Sequence, residues 1–293
     1  MAKKIYSQEN SLLFTMLRLL VSVFILPFAL WGLVACGTTV PTPTPDHQSD
    51  PDHPTRQTAA PDGSLWFSGY RWFVKDSESP TGPGPNWFSS DGRNVWVDAG
   101  GNLHLRITRR EGRWQCAEVF TADTLGYGRY TFTLASRVDL LDKQVVLGLF
   151  TYADAPDYHH REIDIEFSQW GQGDIANAQY VVQPWENASN IHRFELTLNG
   201  PFSNHGFDWR AERVEFWSTH GRPSDTPAYE IAFWIADSDT LAIPPAGEEG
   251  RVHINLWLLN GRQPSNGQDA EVVVESFRFE PHPISTYSPA EGW

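Results

Sequence analysis

Residues 161–167 read R-E-I-D-I-E-F, with Glu162, Asp164 and Glu166 at every second position and Ile163, Ile165 and Phe167 between them. In an extended strand, residues two apart share a face, so three carboxylates point one way and three apolar side chains the other. Same-face neighbours lie about 7 Å apart along a strand. Each ionised pair at that spacing repels by roughly 2 kcal/mol at an effective dielectric near 20. A merely solvated strand avoids this cost with Thr, Ser or Lys. Two chemistries justify it: binding of a cation, or a catalytic group in which one carboxyl keeps its proton.

The catalytic option has a geometric requirement. The Cα atoms of Glu162 and Glu166 are about 13 Å apart in a strand. Two Glu side chains leaning together reduce the carboxyl separation to roughly 5–6 Å, close to the spacing used in glycoside cleavage with retention. Asp164 lies between them. Its charge and hydrogen bonding are expected to hold a proton on one neighbour and leave the other ionised.

A strand-rich body must hold this group. Short alternating runs recur between turn signals: NVWVD, NLHLRIT, GRYTFTLAS, VVLGLFTY, REIDIEF, AQYVVQP, HRFELTL, RVEFWS, YEIAFWI, RVHINLWLL and EVVVESFRFE. Turns such as Asp98–Gly101 and Asn199–Pro201 separate them, and no amphipathic helix stands out. The runs predict an all-β domain, a two-sheet antiparallel sandwich, with a closed barrel as the alternative.

The ends of the chain read differently. Basic residues, then an apolar run, then L-V-A-C ending at Cys36 have the layout of a secretory signal with small residues at its cleavage point. The pattern resembles a bacterial lipoprotein signal, in which Cys36 is lipidated and becomes the mature N-terminus. An uncleaved anchor is the alternative, since about 18 apolar residues can span a bilayer. Either way the body is expected outside the cytoplasm, at a bacterial cell surface or held to a membrane. Residues 1–36 are the signal segment, 37–63 a Pro/Thr-rich spacer, 64–281 the folded domain and 282–293 a tail. Cys116 then has no partner within the domain. Net charge is −14; residues 1–35 contribute +2, so the remainder carries −16. Such a body repels nucleic acid and suits a neutral partner such as an uncharged polysaccharide. A monomer is expected.

The carboxylate strand also carries a resemblance. EIDIEF resembles the active-site strand of glycoside hydrolase family 16, the β-glucanase group with a concanavalin A-like jelly roll. AEVFTADTLGYGRYTF, LFTYADAP, HGFDW followed by RVEFW, and INLWL resemble further segments of that family, in the family's order, over roughly residues 65–281. The resemblance implies that Glu162 is the nucleophile, Asp164 the assisting carboxylate and Glu166 the general acid/base. It implies substrate contacts from Glu118, Phe150, Tyr152, Gln179, Asn255 and Trp257. Phe120 stands where β-1,3-1,4-glucanases have Arg, Gln179 where they have Asn, and His205 is displaced from the family's His before F-D-W. The single residue between Asp164 and Glu166 is the unbulged form, which favours a β-1,4-linked or mixed-linked glucan backbone. The resemblance implies no cofactor. A structural cation on the sandwich stays open, and nothing in the sequence locates one.

Other residues admit a functional and a bland reading. Trp170 directly follows the carboxylate strand and is a cleft candidate; most Trp in a sandwich is core packing. Asn86 and Trp87 lie in SPTGPGPNWFSS, too rich in Gly and Pro for a strand, and either face sugar at a cleft rim or belong to a plain surface connection. His159 and His160 precede Glu162, but adjacent strand residues face opposite ways, which disfavours a shared metal. N-A-S at 187–189 matches a glycosylation sequon and is read as a turn. Three functions follow for the body: a retaining endo-glycoside hydrolase, a transglycosylase using the same residues, or a glycan-binding sandwich that does not cut.

Overall fold

A computed structural model of the chain describes residues 49–50, 53–173, 176–225, 229–247 and 250–282. The signal segment with Cys36, most of the spacer, and the tail beyond His282 lie outside the described residues. No helix among the described residues is long and apolar enough to cross a membrane.

Two antiparallel sheets face each other. Across the first sheet the strands run Ser64–Phe67, Tyr70–Val74, Arg113–Thr121, Arg251–Leu258, Val145–Tyr152, Ile163–Phe167, Ala178–Val182 and Ile191–Phe194. The second sheet runs from His53–Gln57 through Val95–Val97, Leu103–Arg110, Ala270–Pro281, Gly128–Ala135, Phe202–Trp209 and Arg213–His220 to Tyr229–Asp237. The hairpin of Leu103–Arg110 with Arg113–Thr121 passes from one sheet to the other. This is the jelly-roll sandwich, not a closed barrel.

Period-two patterning decides which face of each strand enters the core. Ile163, Ile165 and Phe167 are wholly buried between the sheets, with Leu147 and Leu149 beside them and Ile254 and Leu256 on the next strand. Behind the carboxylate strand, Phe167 meets the buried His205 ring edge-on at 4.7 Å. His205 bonds to Ser218 at 2.7 Å and Ser203 at 2.8 Å, and burial pushes it down to about 3, so it sits neutral in the core.

Three local structures differ from the sequence expectation. Residues 53–57, assigned by composition to the spacer, join the second sheet: Gln57 pairs with Val97, and the Arg56 guanidinium lies 3.5 Å from the centre of the Trp96 ring. Trp87–Phe88 is a short strand, paired parallel with Gln115 and Cys116, within a segment read as irregular. His159 and His160 are not in a strand. They lie in a turn where Tyr158, His159, His160 and Arg161 all have φ between +51° and +64°. The sequon does form a turn, at Ala188–Asn190. Cys116 is free and buried, and burial pushes its thiol up to about 12, which makes it inert.

Candidate active site

The first sheet's outward face forms the floor of an open cleft of about 600 Å³. Its register places side chains in rows that cross the strands. One row runs Arg193, Gln179, Glu166, Gly148, Asn255, Glu118. The next runs Val181, Asp164, Phe150, His253, Phe120, Phe73. The carboxylate triplet therefore crosses successive rows, and each carboxyl meets a different neighbour. The strand pairs regularly on both sides, without a bulge.

Glu162, Asp164 and Glu166 all line this cleft. Burial is the main reason their carboxyls bind protons tightly. Glu162 is raised to about 7 by burial and then by the charges of Glu166 and Glu118. Asp164, 3% exposed, is raised well above the usual carboxylate range by burial and by both glutamates. Glu166 is raised to about 7 by burial; the Gln179 hydrogen bond and the Arg193 charge pull it back. Asp164 accepts from Gln183 Nε2 at 2.9 Å and bonds to Glu162, lowering the proton affinity of Glu162. Asp164 is the most enclosed of the three and has a like charge on either side, and both favour its protonated form.

Glu118 is 3% exposed, and its partners are Lys75 at 2.9 Å and His253 at 3.0 Å. Burial pushes its carboxyl up, but the His253 hydrogen bond and Lys75 charge outweigh that and hold it below the usual range. Its partners thus favour the ionised form. Lys75 Nζ also donates to the Gly82 carbonyl at 2.8 Å, tying the rim loop to the floor. Phe150 stacks on His253 at 5.0 Å, and His253 on Phe120 at 5.3 Å. Tyr152 stacks on His160 at 4.7 Å, and His160 Nδ1 donates to the Ala153 carbonyl at 2.9 Å. Asn255 is buried in the floor, and its Oδ1 has no partner. A Cβ on Gly148 would come within 2.6 Å of that oxygen, so glycine there keeps the floor open between Glu166 and Asn255.

The sequence-selected residues divide. Glu118, Phe150, Tyr152, Asn255 and Trp257 line the cleft with the triplet. Gln179 is turned instead to Glu166, donating from Nε2 to Oε2 at 2.7 Å. Asn86 is a structural pin: its Nδ2 donates to the Pro83 and Leu258 carbonyls, both at 2.8 Å. The rim loop reaches the cleft through Thr81, Gly82 and Pro83, while Trp87 packs under the Arg113 guanidinium. Trp170, at φ +50°, is not among the lining residues. Lys75, Asp154, Arg251 and His253 line the cleft and were not singled out. The last two had a signal, since both alternate with Asn255 and Trp257 on one strand face. Lys75 and Asp154 lie just beyond strand ends, where no period applies. Among the described residues no cluster of His, Cys, Asp and Glu could hold a metal ion.

No protein-family model matches the chain, and no curated protein matches it. Solved structures do. A pseudo β-1,3-glucanase and immunostimulatory antigen of Mycobacterium tuberculosis is 19% identical, with TM-score 0.57 over 77% of this chain and 94% of its own. The β-glucanase of Bacillus licheniformis is 19% identical, with TM-score 0.52 over 75% and 99%. A glycosyl hydrolase family 16 protein of Mycobacterium smegmatis is 16% identical, with TM-score 0.54 over 76% and 94%. The chain shares the jelly-roll fold of these glucanase and glycosyl hydrolase structures.

Proposed function

We propose that the protein is a retaining endo-glycoside hydrolase acting on a β-glucan-like polysaccharide. The observation that carries this reading is the carboxylate triplet in an open cleft whose floor also bears aromatic rings and an unpartnered Asn255 amide oxygen. An open cleft accepts the middle of a chain, and the unbulged strand favours a β-1,4 or mixed-linked backbone. Glu166 protonates the glycosidic oxygen as that bond to the anomeric carbon breaks. Glu162 attacks the anomeric carbon and forms a glycosyl ester. Glu166, now a carboxylate, takes a proton from water, whose oxygen displaces Glu162 and frees the sugar. Asp164 donates its hydrogen bond to Glu162, which favours the ionised nucleophile.

The decisive experiment is Glu162→Gln assayed on a panel of soluble β-glucans. Loss of at least about a thousand-fold in rate is expected; activity within tenfold of wild type would remove the nucleophile assignment. A transglycosylase would use the same residues with a sugar hydroxyl replacing water. Added oligosaccharide acceptor distinguishes the two, since transfer yields lengthened products. One structural relative is described as a pseudo β-1,3-glucanase, so binding without cutting is the other reading; tight glycan binding with no turnover across the panel would establish it. The proposed setting is extracytoplasmic, with the domain tethered to a bacterial membrane by lipid on Cys36. Radiolabelled palmitate incorporation that is lost in Cys36→Ser tests the tether.

A further inference from the structure

A polar chain leaves the cleft sideways, along the sheet. Gln179 sits opposite Glu166 in the ladder, and Arg193 sits opposite Gln179. Gln179 Nε2 donates to Glu166 Oε2 at 2.7 Å, and its Oε1 accepts from Arg193 Nε at 3.1 Å. Gln179 is 4% exposed, whereas Arg193 is exposed on Ile191–Phe194, which ends the cleft sheet. A carboxamide has a donor end and an acceptor end that can exchange by a flip. Arg193 has only donors, so it fixes the acceptor end toward itself and the donor end toward Glu166. Released from Arg193, the amide could turn its oxygen to the carboxyl, an arrangement that favours only the protonated acid.

We propose that Arg193 is a positioning residue for Glu166, acting through Gln179 by locking the amide so that its N–H supports the ionised carboxylate. This role rests on reading Glu166 as the acid/base. Such a group must release its proton in the first step and recover one in the second, so both forms need support. The other charged and titratable groups around Glu166 are Asp164 and Glu162 on its own strand, Tyr152 and Asp154 at the end of the next, Arg251 and His253 beyond, and Glu118 with Lys75 at the far side. The carboxylates among them favour the protonated acid. Arg193 reaches it from the opposite side, through a hydrogen-bonded amide.

The test is a 13C titration of the Glu166 carboxyl, assigned by the signal lost in Glu166→Gln, in wild type, Arg193→Met, Gln179→Leu and the double variant. Arg193 is exposed, so its replacement leaves the core intact; Gln179→Asn serves as a second probe if Gln179→Leu fails to fold. Arg193→Met is expected to raise the midpoint by about half a unit or more. Gln179→Leu raises it at least as far, and adding Arg193→Met to Gln179→Leu moves it much less than Arg193→Met moves the wild type, because only the through-space charge of Arg193 is then left to remove. An unmoved midpoint in Arg193→Met, or shifts that add in the double variant, would overturn the proposal. In an active enzyme the alkaline limb of kcat/KM moves up by the same amount. A protein that titrates as described yet cuts no glycan would refute the hydrolase reading and leave the Arg193 relay standing.

Discussion

Asp164 is enclosed by partners of opposite demand. Gln183 presents an N–H to its Oδ2, and Glu162 receives a hydrogen bond from it. In the proposed hydrolase, the raised proton affinity of Asp164 favours a neutral working form, to which Asn is close to an isostere. Asp164→Asn is therefore expected to keep far more activity than Glu162→Gln, losing about tenfold instead of a thousandfold or more, with its alkaline limb little moved. Equal losses in the two variants, measured as kcat/KM, would show that Asp164 works as a charge. The wild-type rate should peak between the two macroscopic steps of the Glu162–Glu166 pair, which burial moves from near 4.5 to about 7. At this scale the triplet was legible, because a strand's period is two and E-x-D-x-E is a local pattern. The roles of its members were not. They depend on Gln179, Gln183 and Arg193, which reach the carboxyls only after strands 13 to 27 residues away have paired.

The strands that surround the triplet show the same division. Arg251–Leu258 announces itself by alternating side chains. Ser64–Phe67, Tyr70–Val74 and Arg113–Thr121 do not: S-L-W-F-S-G-Y-R-W-F-V is a nearly continuous apolar and aromatic run, and the period drowns in it. Yet these strands bring Lys75 against Glu118, two residues 43 apart in sequence. The place of Asn86 is hidden from the sequence for a related reason. A polar residue in a Pro-rich loop reads as solvent- or sugar-facing, whereas here it closes hydrogen bonds that the loop backbone and Leu258 would otherwise lack. Lys75→Met tests what the paired strands gain from the ion pair. Glu118 would keep His253 but lose the cation, leaving a buried charge partly compensated. The expected cost is about 1–3 kcal/mol at pH 7, discounted because Lys75 is partly exposed. The loss should shrink as pH falls below the usual carboxylate range and Glu118 gains a proton. A denaturation midpoint unchanged at pH 7 would place the pair among the ion pairs that add nothing.

Across the whole molecule, titration should couple the cleft to stability with a sign opposite to ordinary acid denaturation. Glu162 and Glu166 lose protons near 4.5 when unfolded but near 7 when folded, and Asp164 is shifted the same way from 3.8. The folded chain therefore binds extra protons across that window. The resulting stabilisation is fully present below pH 4.5 and is lost as pH rises through about 7. His205 works against it: its folded value of about 3 lies below the unfolded 6.5, so its contribution is present above 6.5 and is lost as pH falls. Glu118 and Asp208, held below their usual range, likewise lose their contributions in acid. The three cleft carboxyls outweigh the single histidine between pH 5 and 7, so stability should peak on the acidic side of neutrality. The net charge of −14 adds self-repulsion on the alkaline side. The melting temperature is expected to fall by at least about 5 °C between pH 5.5 and 8.5. Replacing Glu162 and Glu166 together with Gln should flatten that decline and raise the melting temperature at pH 8.5, since the cleft holds these carboxyls at the expense of stability. A wild-type melting temperature that is flat or rising over this range would mean that the carboxyls ionise at ordinary values, and that the cleft is wetter than its burial implies.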